Sequence, residues 1–66
     1  MQVFINGEPR EIPEGATVAS LVASLALEPS RVAVEMEREL VRRADWSERA
    51  ITPGARLEIV HFVGGG

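Results

Sequence analysis

The sequence closes on Phe62-Val63-Gly64-Gly65-Gly66, an apolar strand pattern that passes directly into three glycines. The group able to do chemistry there is the carboxyl of Gly66. Glycine lacks a Cβ and tolerates backbone angles closed to other residues, so such an end is thin enough to thread where side chains would clash. Three extended residues reach roughly 10 Å beyond a folded body. An α-carboxylate is anionic at neutral pH and a poor electrophile, so it needs activation. Transfer of AMP from ATP would make it a mixed anhydride, and a thiol or persulfide on a partner could then displace the AMP. The chain shows no equipment of its own for that reaction: no phosphate-binding glycine loop, no serine, histidine and acid set, and no metal cluster. The expectation is a carrier that serves as a substrate of other enzymes, with Gly66 as the loaded residue and Gly64 and Gly65 as the threading segment.

The rest of the composition narrows the classes of function. With no cysteine, disulfides, thiolate metal sites and cysteine nucleophiles are excluded. The single histidine, His61, makes no zinc site by itself. It reads as a strand residue, because a general base must reach the proton it takes and the Gly66 carboxylate lies several extended residues away. Ten acidic against seven basic residues give a net charge of -3, which argues against a nucleic-acid binder. All seven basic residues are arginine, so no side-chain amine is present to receive an isopeptide-linked modifier. No apolar run approaches membrane-spanning length, and a cytoplasmic protein without a membrane partner is expected.

At 66 residues the chain is expected to form one domain, residues 1-63, followed by a flexible glycine tail, 64-66. The elements that must position the tail follow from periodicity. Gln2 to Asn6 alternates as a strand, Asn6-Gly7 signals a hairpin, and Arg10-Glu11-Ile12 returns. Thr17 is placed to cap a helix whose Val18, Leu21, Val22 and Leu25 form one apolar stripe. Arg31 to Met36 alternates again, Glu37-Arg38 reads as a turn, and Leu40-Val41 as a short strand. Arg42 to Trp46 breaks the alternation, as a helical turn or loop, with Trp46 expected to cap one end of the core. Thr52-Pro53-Gly54 marks a turn before Arg56 to Val63, the strongest strand pattern in the chain.

A hairpin, a crossover helix and a final long strand close into one sheet if the first and last strands lie parallel at its centre. This is an α+β fold of the ubiquitin-like β-grasp kind: a mixed sheet of four to five strands with one main helix on one face. With Val3, Ile5, Leu57 and Ile59 turned toward the helix, Phe4, Val60 and Phe62 fall together on the open face. An apolar patch beside the tail is expected to bind a partner, with Val63 at its margin.

The segments Asn6-Gly7-Glu8-Pro9-Arg10-Glu11, Pro13-Glu14-Gly15-Ala16-Thr17-Val18, Arg31-Val32-Ala33-Val34-Glu35 and Glu58-Ile59-Val60-His61-Phe62-Val63-Gly64-Gly65-Gly66 resemble the ThiS sulfur carriers of thiamine biosynthesis, over essentially the whole chain. The resemblance implies that an E1-like adenylyltransferase, using ATP, converts Gly66 to an acyl-adenylate. It further implies that sulfur drawn from cysteine by a desulfurase replaces the AMP, and that thiazole synthase receives it from the resulting thiocarboxylate. No cofactor is expected to reside on the chain. Three other readings share the diglycine end: the small subunit of molybdopterin synthase, a carrier for cysteine synthesis or transfer-RNA thiolation, and a ubiquitin-like modifier that forms isopeptide bonds. A β-grasp binding module with an inert tail is the remaining one.

Overall fold

In the computed structural model, which describes residues 1–63, Asn6 and Gly7 take φ of 52° and 84°. Positive φ at both central residues matches the right-handed twist of a two-residue hairpin. They fold β1 (Gln2–Ile5) back onto antiparallel β2 (Glu8–Glu11), pairing Gln2 with Glu11 and Ile5 with Glu8. The second strand thus begins earlier than the alternation suggested, and all four of its residues are exposed. As a sheet edge it has no buried face to impose a pattern, and buried Ile12 lies just past its end.

Thr17 starts α1 (Val18–Ser24) with a reciprocal cap: its hydroxyl accepts from the Ser20 N–H at 3.1 Å, and the Ser20 hydroxyl accepts from the Thr17 N–H at 2.9 Å. Val18, Leu21 and Val22 bury the expected stripe, and Leu25, the C-cap residue, packs beside it partly buried. A short 3₁₀ turn, Pro29–Arg31, leads into β3 (Val32–Met36), where Val32, Val34 and Met36 are buried. Glu37 and Arg38, at φ of 53° and 67°, turn the chain into β4 (Glu39–Val41). Arg43–Asp45 forms a second 3₁₀ turn, and Trp46 closes the core at its end, its Nε1–H donating to the Val41 carbonyl at 2.9 Å.

β5 (Arg56–His61) takes the middle of a five-stranded sheet of order β2-β1-β5-β3-β4. It runs parallel to β1, with Phe4 beside Arg56 and Ile5 beside Leu57, and antiparallel to β3 from Val32–His61 to Met36–Leu57. This is the expected mixed sheet with parallel first and last strands. Leu57, Val3, Val18, Val22 and Val34 form the most deeply buried part of a single core between α1 and one sheet face. The ladder of β5 closes at His61, short of the Val63 read from the sequence, with one further bond from the Phe62 N–H to the Arg31 carbonyl at 2.7 Å. Gly64, Gly65 and Gly66 lie outside the described residues. No described helix is long and apolar enough to cross a membrane.

Candidate functional site

The strand that leads toward the glycines alternates by necessity. Leu57 and Ile59 point into the core, so Arg56, Glu58 and Val60 point to the face that α1 leaves open. Across the ladder Glu58 stands directly opposite Glu35, and Val60 opposite Ala33. Exposure rises along the strand toward the tail: Val60 is 51% exposed, Phe62 58% and Val63 82%. These three predicted contact residues are therefore accessible and lie within four positions of the first glycine.

Phe4 is placed differently. It faces the open side as expected, but its neighbour in register is Arg56, not Val60. Four residues of strand, about 13 Å, separate Arg56 from Val60. Phe4 is half-buried, and the Arg56 guanidinium lies over its ring at 5.3 Å, a cation–π contact that covers its apolar face. Between Phe4 and Val60 the surface is charged, with a hollow of ≈ 270 Å³ lined by Glu35, Glu37, Arg38, Arg56 and Glu58. The single patch of Phe4, Val60 and Phe62 is thus corrected to two apolar spots with a charged band between them. The alternation assigned each residue to its face, and the register of the parallel pair, which alternation does not fix, set them apart. Another exposed apolar residue, Leu40 at 65%, lies on β4 opposite Glu35.

The backbone of β5 is held on both edges by side chains from the two hairpin turns. On the β1 edge, the Asn6 amide spans one residue of β5: its Oδ1 accepts from the Ile59 N–H at 2.8 Å and its Nδ2 donates to the Ile59 carbonyl at 3.1 Å. This reproduces what a further residue of β1 would offer, just where β1 has turned away. On the β3 edge, Glu37 donates its own N–H to the Arg56 carbonyl at 2.9 Å, and its carboxylate Oε1 accepts from the Arg56 N–H at 2.9 Å. Neither role is readable in the sequence, where Asn6 signals only a turn and Glu37 is unusual for a left-handed position. Left-handed backbone costs a residue with a Cβ about 1–2 kcal/mol. The two hydrogen bonds that Glu37 makes to Arg56 offset part of that.

His61 is exposed at the end of β5, consistent with a strand position. Among the described residues no group of three or more histidine, cysteine, aspartate or glutamate side chains is arranged to hold a metal.

Comparison with known proteins gives a consistent result. The ThiS family model matches residues 3–66. A thiazole synthase of Paramagnetospirillum magneticum is 39% identical over all 66 residues, which make up 20% of that protein, so the chain spans about a fifth of its length. The sulfur carrier protein ThiS of Bacillus subtilis is 40% identical over 50 residues, 76% of each chain. Among solved structures, the crystal structure of the thiamine biosynthesis protein ThiS from Geobacter metallireducens superposes with a TM-score of 0.85 at 28% identity, covering 100% of both chains.

Proposed function

The chain belongs to the ThiS family, and from that premise we propose that it carries sulfur in thiamine biosynthesis, as a thiocarboxylate on Gly66. The observation that carries the reading is the placement of β5. The central and most tightly held strand runs out of the sheet toward the three glycines, with Val60, Phe62 and Val63 exposed beside the exit. A rigid body that docks while a side-chain-free tail enters a neighbour's active site is what delivery of a small reactive group requires.

In this reading the chain is a substrate of its partners and does no catalysis itself. A Gly66 carboxylate oxygen attacks the α-phosphorus of ATP on an E1-like adenylyltransferase, pyrophosphate leaves, and the acyl-adenylate forms. A persulfide sulfur, derived from cysteine through a desulfurase, then attacks the acyl carbon and expels AMP, and a second thiol cleaves the resulting acyl disulfide, leaving the thiocarboxylate on Gly66 and a disulfide on the sulfur donor. Gly64 and Gly65 thread the partner's channel. Thiazole synthase is the receiver favoured by the relatives, because a stretch similar to the whole chain forms a fifth of the P. magneticum thiazole synthase.

The test is intact-mass measurement after incubation with an adenylyltransferase, ATP and sulfide. The expected product has one terminal oxygen replaced by sulfur and transfers it to thiazole synthase. Adding one residue after Gly66 should abolish loading by carrying the carboxylate past the reacting phosphorus. Normal loading of the extended chain would refute the assignment to Gly66. Gly66 found joined to lysines of other proteins, with no sulfur-bearing species, would favour a protein modifier instead.

A further inference from the structure

We propose that Asn6 and Glu37 are positioning residues, whose side chains pin the two ends of β5 to its neighbours and so fix how far the tail reaches into a partner. The inference rests on the sulfur-carrier reading, and goes beyond it by naming what aims the tail.

β5 takes its register from five pairs with β3 and from buried Leu57 and Ile59, whereas its parallel pairing with β1 is short, with only Phe4–Arg56 and Ile5–Leu57 in register. Two rungs leave the β1 edge of β5 weakly held toward the exit, and a local displacement of one residue there moves the strand by about 3.3 Å. That displacement is about a third of the distance that three extended glycines can span. The Asn6 amide adds a rung at Ile59, with both donor and acceptor used, at 3.1 and 2.8 Å. It is the rung nearest the exit on that edge, and Val60 follows at once.

Glu37 acts at the other end and on the other edge, binding both backbone groups of Arg56. Its φ of 53° is strained for a glutamate, and a glycine would hold the turn without strain. A side chain kept at a position that suits glycine needs a reason, and the reason visible here is the carboxylate bond to the Arg56 N–H. The two devices are matched in construction. Each hairpin lends the side chain of its first left-handed residue to the same strand, one at its start and one near its exit.

The test uses Asn6→Gly and Glu37→Gly, which keep the residue type that positive φ favours while removing the side-chain rungs. Both variants should melt close to the wild-type temperature, while amide exchange at Ile59 and Arg56 respectively should quicken about tenfold. With adenylyltransferase, ATP and sulfide, kcat for thiocarboxylate formation should fall about tenfold, because the carboxylate less often occupies the attacking position. KM should stay within about twofold, since the docking face is unchanged. Glu37→Gln, which retains an acceptor oxygen, should restore kcat. Thr17→Ala, which removes the distant helix cap, should lower the melting temperature and leave kcat unaltered.

Wild-type kcat in both glycine variants would overturn the proposal. So would losses that simply track a fall in melting temperature, with Thr17→Ala losing kcat to the same extent. A wild-type chain that never acquires sulfur would refute the carrier reading and this inference with it, and is told apart from the other outcomes by that control alone.

Discussion

Phe4 and Phe62 are the only phenylalanines in the chain, and identical chemistry serves two ends. Phe4 is half-buried under the Arg56 guanidinium, so its ring is already occupied within the fold. Phe62 is 58% exposed and tied to the turn before β3 through its own N–H to the Arg31 carbonyl. The side chain of Phe62 is thus available to a partner while its backbone is fixed. Phe62→Asp should leave the denaturation midpoint nearly unchanged and weaken adenylyltransferase binding about tenfold, through loss of an apolar anchor. A calorimetric titration checks it, and unchanged affinity would remove the Val60–Phe62 spot from the docking surface. The sequence distinguished the faces of these rings but not their neighbours, since an alternation of period two carries no information on which residue lies across the ladder.

Among the elements, α1 was legible nearly to the residue, because its start is a local event. Thr17 and Ser20 satisfy each other's amides three residues apart, and the stripe of Val18, Leu21 and Val22 follows directly. Thr17→Ala should cost about 1 kcal/mol of stability, the usual cost of removing such a cap, measured by urea denaturation. The helix end was less readable. Ala26 takes φ of 57° there, a position where glycine is the expected signal. β2 was misplaced by two residues at its start for a similar reason, since an exposed edge strand leaves no buried rhythm in its sequence. At β5 the pattern overran the ladder: Phe62 and Val63 continue the apolar character of the strand, but the Phe62 N–H bonds to Arg31 in the 3₁₀ turn before β3 rather than to a strand.

For the molecule as a whole, β5 does two jobs at once. Its inward side chains complete the core and its outward ones line the open face, so in the proposed reading core stability and delivery share one strand. Leu57 is 1% exposed at the centre of the sheet. Leu57→Ala should destabilise by about 2–5 kcal/mol through lost burial and the cavity left behind. That is a large part of the stability a domain of this size commands, and denaturant titration would show it as a lower midpoint with little change in slope. Failure of that variant to lose stability would mean the core is organised around another strand.

The sequence by itself determined the kinds and order of the elements, the inward and outward face of each long strand, the helix cap and the glycine end. Each of these is set by neighbours within a few residues, through side-chain alternation, capping and turn chemistry. The tertiary structure decided what depends on distant partners. Phe4 came to lie beside Arg56, Glu58 opposite Glu35, and the Asn6 amide on the backbone of Ile59, 53 residues away. Register and side-chain rungs of that kind are selected by how the whole core packs, so they leave no local pattern to read.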